Sequence, residues 1–334
     1  MSSHLYNVLI VGCGNIAGGF DASRAKHLSS LSHAGAYTKH GGFKLFACID
    51  PDHRCCKAFA RRWEVENQAS TIADLSLSPG LIDVVSICSP TELHHEHLKQ
   101  VLNLRPKIVF CEKPLALDVS AAREITTVFR KHNIALVVNY SRQWDPCVTE
   151  LENKLRIGCW GDIRSVVGHY NKGILNNGSH MLELLLRLLG QLELVATGMP
   201  VFDFWESDPT VAVFLTANEG AVPVYLNPSH ASDFAYFELE IVFELGVLRM
   251  ESGGMDWQFR MAEPDKEFVG YHSLSKAKFK KGRYMEALEF AINDIYTWLE
   301  TARPVNKTNA FVVEVQKLCA DIQKQALKKS KLHN

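Results

Sequence analysis

The residues able to do chemistry in this 334-residue chain gather at the ends of short apolar runs. In "KIVFCEKPLALD" (107–118), Ile108, Val109, Phe110 and Cys111 are suited to burial, yet Glu112 and Lys113 follow at once and Pro114 fixes the next turn. In "VLIVGCGNIAGGFD", Gly12 and Gly14 end another run. Glycines there let the backbone turn tightly and approach a pyrophosphate seated on the next helix's N-terminus. Asn15 and Ile16 lie inside that turn, and Ala17 completes G-x-G-x-x-A. "FKLFACID" ends on Asp50. Its carboxylate can accept from both ribose hydroxyls of NAD and would repel the 2′-phosphate of NADP.

"SICSPTELHHEH" brings Ser89, Pro90 and Thr91 to where a chain passes under the nicotinamide-side ribose, with His94 close behind among the cofactor-binding candidates. His94, His95 and His97 invite a metal, but adjacent histidines point apart and no cysteine or second acid cluster joins them. We expect no metal there, and helix-start histidines that cap and solvate. "NYSRQWDP" supplies Tyr140, Arg142 and Trp144. An arginine with aromatics suits a sugar, offering donors for hydroxyls and flat apolar faces for ring C–H edges. The alternative for Arg142 is a structural pair with an acid such as Glu112.

Positioning these residues requires a particular order of elements. "NVLIVG" (7–12), "FKLFACID" (43–50), "VVSICSP" (84–90), "KIVFCEKP" (107–114) and "IALVVNY" (134–140) are almost continuously apolar, as strands covered on both faces must be. Helical patterns separate them: "HRCCKAFARRW", "TELHHEHLKQVL" and "LDVSAAREITTVFRKH". Such alternation implies βαβ units and a doubly wound parallel sheet, the Rossmann arrangement, over residues 1–142. In open α/β sheets ligands bind beyond the carboxyl ends of the strands, which puts Glu112 and Lys113 at the crevice. The interval from Gly14 to Asp50 exceeds the usual ~20 residues. "GGFDASRAKHLSSLSHAGAY" therefore holds an extra loop, either a turn of lid beside the cofactor or a tolerated surface insertion.

Residues 143–334 read as an α+β domain. A helix over about 146–157 precedes "IRSVVGHY" and a helix over "GSHMLELLLRLLG". Then come "LELVATGM", "TVAVFLTA", "AVPVYLNP", "AYFELEIVFE", "GVLRMES" and "WQFRMAE", a large and mostly antiparallel sheet. "YMEALEFAINDIYTWLETA" and a pattern from about 308 to 329 are helical, and "KKSKLHN" is a solvated tail. The net charge of -1 gives no reason to expect a nucleic-acid or membrane partner. No apolar run approaches the length of a membrane span, and the first residues lack a basic n-region and a small-residue cleavage site. Nine cysteines without a CxxC pair fit reduced thiols of a cytoplasmic protein.

The first strand, the SPT turn and above all "CEKP" together resemble the Gfo/Idh/MocA family of sugar and cyclitol oxidoreductases. "NYSRQWDP", "GDIRSV", "KGILNNGSHMLELLLRLLG" and "EALEFAINDIYTWLETARPV" extend the resemblance along the chain. It implies that Lys113 hydrogen-bonds the reacting hydroxyl and stabilises the alkoxide electrostatically as hydride leaves. It also implies that Glu112 holds the cofactor ribose or orients Lys113, and that the last helices return towards the first domain. The Lys113–Pro114 bond is a candidate for cis. Many members carry an acid four residues before the helix histidine and another three after it. Here those positions are Asn176 and Glu183 around His180.

His180 can still serve as general base, its unperturbed pKa being about 6.5. Asn176 can orient a hydroxyl or the imidazole but cannot stabilise an imidazolium by charge. Asn177 and Lys172 are expected to bind substrate hydroxyls. The resemblance thus implies an NAD-dependent oxidoreductase acting on a nucleotide-linked or amino sugar, in a homo-dimer or homo-tetramer. The alternatives are a free sugar or inositol dehydrogenase and, because Asn176 departs from the pattern, a non-catalytic sugar-responsive regulator that binds NAD.

Overall fold

The computed structural model describes residues 5–25, 27–301 and 311–333. The chain divides into two compact units, one formed by Met1–Trp144 with Met285–Val313, the other by Asp145–Tyr284 with Glu314–Asn334. The division after Trp144 lies two residues beyond the expected boundary, and the stretch from Met285 belongs to the first unit.

The first unit holds a six-stranded parallel sheet in the order β3-β2-β1-β4-β5-β6. Its strands are β1 (Tyr6–Val11), β2 (Phe43–Ile49), β3 (Asn67–Ala69), β4 (Val84–Ile87), β5 (Ile108–Glu112) and β6 (Ala135–Asn139). This is the dinucleotide-binding order, in which the strand order reverses between β1 and β4 and opens a crevice there. The continuous apolar runs place Val8, Ile10, Val84, Ile108 and Phe110 at 0% exposure. Each such side chain contributes about 1.5–3 kcal/mol by leaving water. β3, absent from the strands expected from the sequence, has only three residues at the sheet edge and no apolar run to betray it.

The helices are α1 (His33–His40), α2 (His53–Trp63), α3 (Thr91–Gln100) and α4 (Val119–Lys131). Asp52 starts α2 by accepting from the Arg54 and Cys55 amides, and Asp118 starts α4 through Ala121. α7 (Ala287–Thr301) packs Ala291, Ile292 and Ile295 into the same core.

The second unit contains a nine-stranded mixed sheet, mostly antiparallel with β7 and β10 parallel. Its strands are β7 (Ile163–Tyr170), β8 (Leu192–Trp205), β9 (Asp208–Ala217), β10 (Val222–Pro228), β11 (Glu238–Phe243), β12 (Gly246–Glu251), β13 (Asp256–Pro264), β14 (His272–Leu274) and β15 (Lys278–Lys281). β14 and β15 are short, exposed edge pieces that carry no alternating pattern. α5 (Pro146–Arg156) and α6 (Ser179–Leu189) complete this unit with most of α8 (Val312–His333). The first residues of the expected last helix, 308–310, lie outside the described residues. No helix among the described residues is long and apolar enough to cross a membrane.

Candidate functional site

In the first unit the chemistry collects at the carboxyl ends of three neighbouring strands, β1, β4 and β5. Gly12 has φ +87°, and a Cβ there would lie 2.7 Å from the Ser89 backbone nitrogen, so only glycine lets the β1 turn pack against the end of β4. At Gly14 a Cβ would meet no protein atom within 4 Å. Its outer face is open, as close approach of a pyrophosphate requires. Asp50 braces this turn, accepting from the Cys13 amide through Oδ2 at 2.8 Å and from the Asp52 amide through Oδ1 at 2.8 Å. Ser89 and Thr91 flank the exposed Pro90 in the turn that starts α3.

The extra loop expected after the glycines is present, and it delays the first helix. Asn15 and Ile16 lie in a single turn, Gly19–Asp21 forms a 3-10 turn, and α1 starts only at His33. The intervening segment is tied down rather than loosely inserted. The buried Asp21 carboxylate accepts from the Leu31 amide, the Ser32 amide (2.9 Å) and the Ser32 hydroxyl (2.6 Å), and Ser32 caps α1 through Gly35.

Glu112 is the centre of a polar network. Its Oε1 accepts from Asn139 Nδ2 at 2.7 Å and lies 2.9 Å from His33 Nε2. Trp144 Nε1 donates to Asn139 Oδ1 at 3.0 Å. Burial pushes the Glu112 carboxyl up, but His33, the Asn139 amide and the Lys113 ammonium outweigh it and hold the group below the usual carboxylate range. Glu112, the acid named as a structural partner for Arg142 in the alternative reading, is therefore paired instead with His33. Lys113 is half-buried and the Lys113–Pro114 bond is cis, as expected.

His94 does not cap a helix in solvent. It is 1% exposed, with Nδ1 2.8 Å from the Pro114 carbonyl and Nε2 2.9 Å from the Ser89 carbonyl. The ring ties the SPT turn to the EKP turn through backbone atoms, so its side-chain nitrogens are already committed to protein and not to a cofactor. His95 turns away to pair with Glu124, while His97, like His94, reaches Ser89, lying 2.9 Å from its hydroxyl. The group among the described residues with metal-ligand spacing is instead Cys13, Cys48 and Cys56, all buried. Burial pushes the Cys56 thiol up to about 11.

Tyr140 and Trp144 are each 2% exposed and Arg142 is 7% exposed. The indole of Trp144 packs edge-on against Phe110 and braces Asn139, so it is a core side chain and not a platform for a sugar ring.

In the second unit "KGILNNG" is unlike the simple helix start expected. Gly173–Gly178 is a π-helical turn leading into α6, a form enriched at functional sites. Its first amides are satisfied by three buried or half-buried side chains of the β8–β9 hairpin. Lys172 N donates to Asp203, Gly173 N to Thr210, and Leu175 N and Asn176 N to the two oxygens of Asp208. Gly173 sits at φ +84°, and a Cβ there would lie 2.1 Å from Asp208 Oδ2. Asn176 Nδ2 donates to the Lys172 carbonyl at 3.2 Å, and the Lys172 ammonium lies over the Phe204 ring. Asn177 and His180 are half-buried. Glu183 is buried in an ion pair with Arg187, which also reaches Glu152 at 3.3 Å.

Sequence reasoning missed His33, Asn139, Asp203 and Asp208. His33 stands 79 residues from the carboxylate it holds, and Asp208 more than 30 from the amides it caps, so no local spacing signals either pairing.

Residues 6–140 match the family model described as an oxidoreductase family with an NAD-binding Rossmann fold. An uncharacterised oxidoreductase of Bacillus subtilis is 29% identical over 137 residues, 41% of this chain and 36% of that protein. The D-glucoside 3-dehydrogenase of Escherichia coli is 27% identical over 168 residues, 49% of this chain and 42% of the enzyme. The chain thus spans less than half the length of these curated relatives. Among solved structures, the WlbA dehydrogenase of Bordetella pertussis, in complex with NADH and UDP-GlcNAcA, superposes with TM-score 0.78 at 16% identity, covering 98% of this chain and 97% of that one. A super-repressor mutant of Gal80p from Saccharomyces cerevisiae gives TM-score 0.77 at 14% identity, covering 97% of both chains. At these identities the likeness concerns the fold.

Proposed function

Through residues 6–140 the chain belongs to the Gfo/Idh/MocA oxidoreductases with their NAD-binding Rossmann fold, and from that premise we propose that it oxidises or reduces a carbinol carbon of a sugar with NAD. The supporting observation is the convergence of Gly12–Gly14, Ser89 and Glu112–Lys113 at the carboxyl ends of adjacent strands. That is where this sheet order binds dinucleotides.

A bound nicotinamide supplies the hydride acceptor. The open face at Gly14 and the turn through Asn15 and Ile16 accommodate the pyrophosphate. Asp50 accepts from the adenosine ribose hydroxyls and disfavours a 2′-phosphate. The Lys113 ammonium hydrogen-bonds the substrate hydroxyl and stabilises the alkoxide, while His180 takes up its proton. Lys172 and Asn177 bind other substrate hydroxyls. A nucleotide-linked or amino sugar is the preferred substrate, a reading that agrees with the ligand of the WlbA structure; D-glucoside 3-dehydrogenase keeps a simpler sugar as the second choice. The nine free cysteines, mostly buried, suit a reducing cytoplasm. Exposed aromatics on β8 and β10, Phe202, Phe204, Trp205 and Tyr225, suit pairing of that sheet with a second copy.

The experiment is a panel of nucleotide sugars, amino sugars, free sugars and inositols with NAD, followed by absorbance of the reduced cofactor. Turnover is expected with at least one nucleotide-linked or amino sugar. Tight NADH binding without turnover on any member would favour the regulator.

A further inference from the structure

The segment inserted after the glycine turn ends by delivering a histidine to Glu112. His33, the first residue of α1, is 0% exposed. Its Nε2 lies 2.9 Å from Glu112 Oε1, and its Nδ1 lies 3.2 Å from the Ser86 hydroxyl, which is in turn 3.0 Å from the Tyr37 hydroxyl. A carboxylate only accepts, so Nε2 carries the proton that faces Glu112. Asn139 donates to the same oxygen, Oε1. The other oxygen, Oε2, takes no hydrogen bond from a described residue, and the Glu112 side chain keeps 15% exposure. The carboxylate is therefore gripped by one oxygen and presents the other.

The grip is fixed in its turn. Asp21 holds both the amide and the hydroxyl of Ser32, the residue just before His33. A Cβ at Gly35 would lie 2.2 Å from Asp21 Oδ2, so this closure is tight.

We propose that His33 is a positioning residue for the cofactor site: by holding Glu112 Oε1 it turns Oε2 outward to accept from a ribose hydroxyl of the dinucleotide and keeps the carboxylate beside Lys113. This rests on the assignment of the β1, β4 and β5 strand ends to NAD. It also gives the insertion a function, since the insertion sets where α1, and hence His33, begins. The titratable groups facing Glu112 are Lys113 and Cys111 on its own strand and turn, Cys88 at the end of β4 and His33 from α1. Of these, His33 and Lys113 favour the anion. Losing His33 should therefore raise the pH at which Glu112 takes up a proton.

The test measures NADH affinity by fluorescence titration across pH, with turnover in parallel, for the native protein, His33→Leu, His33→Gln and Lys113→Ala. His33→Leu keeps an apolar volume but no donor. It should lose about tenfold in NADH affinity, the value of one hydrogen bond to a charged group. The acidic limb of its binding profile should move up by about one pH unit. A glutamine amide can donate from near the Nε2 position, so His33→Gln should regain most of the affinity and return the limb towards its native place. If leucine and glutamine lower affinity alike and leave the acidic limb unmoved, His33 only fills space and the proposal is overturned. Should His33→Leu fail to fold, Ser86→Ala, which removes the partner of Nδ1, should show a smaller upward shift of the same limb; no shift there also overturns it. Lys113→Ala separates the two claims. If no sugar is turned over by any protein, the proposed reaction fails while the binding arms still report on His33. If Lys113→Ala abolishes turnover and His33→Leu binds NADH normally at every pH, the reaction stands and the role of His33 falls.

Discussion

At the end of β5, side chains hold side chains: His33 and Asn139 grip Glu112, and Trp144 grips Asn139. Ahead of α6, side chains hold the backbone: Asp203, Thr210 and Asp208 take up the amides of residues 172, 173, 175 and 176. The first arrangement tunes a charge without fixing the course of the chain, which strand pairing already fixes. The second dictates the course of the chain itself, because a π-turn with its first amides unsatisfied would not persist against the ordinary α-helix. Substitutions at the first region should therefore alter affinity and pH dependence, and those at the second should alter folding.

The sharpest break of this contrast is Asp208→Ala. It strands two half-buried amides, those of Leu175 and Asn176, and we expect a loss of about 2–4 kcal/mol, read as a lower melting temperature. Asp208→Asn keeps one acceptor and should lose roughly half as much. A loss under about 1 kcal/mol for Asp208→Ala would show that the π-turn stands without its cap.

On the proposed function, cofactor choice depends on Asp50. NADH should bind at least about tenfold more tightly than NADPH, from lost ribose hydrogen bonds and charge repulsion. Equal affinities in a fluorescence titration would remove Asp50 from ribose recognition.

Asn176→Asp adds an anion one helical turn before His180. If His180 is the proton acceptor, the acidic limb of sugar oxidation should move up by about one pH unit and should vanish in His180→Ala. The new carboxylate cannot donate to the Lys172 carbonyl as the amide does, so a modest stability loss should accompany the shift. An acidic limb untouched by both substitutions would leave Lys113 or Lys172 as the proton carrier.

The smallest effect concerns acid stability. Glu112 has a folded pKa below its unfolded value of about 4.5. Its contribution is thus fully present above about pH 4.5 and is lost as pH falls through the lower, folded value. Native protein and Glu112→Gln should differ in melting temperature near neutrality and converge in acid. A constant difference at all pH values would mean that Glu112 acts through packing alone.

Much of the first unit was legible because its strands are continuously apolar and its functional groups sit where those runs stop. Gly12, Asp50 and Glu112–Lys113 could be placed from that alone. The late start of α1 could not, since the residues after Gly19 show neither a cap nor a period until Ser32. Trp144 was misread for a related reason. An aromatic beside an arginine at a strand end looks like a sugar platform, and its burial against Phe110 and the bond of its indole nitrogen to Asn139 show it to be core. His94 looked solvated because it stands at a helix start in a run of polar residues, His95, Glu96 and His97. In the second unit the strands were legible by alternation, but the π-turn was not, because its cause lies in Asp203 and Asp208 on a distant hairpin.

The most direct test of the account is Lys113→Ala, measured for both NADH affinity and turnover on the best sugar from the panel. The account predicts affinity within a few-fold of native and turnover reduced by about 10²–10³, the usual cost of one preorganised charged donor. Near-native turnover would contradict it and make the EKP lysine structural.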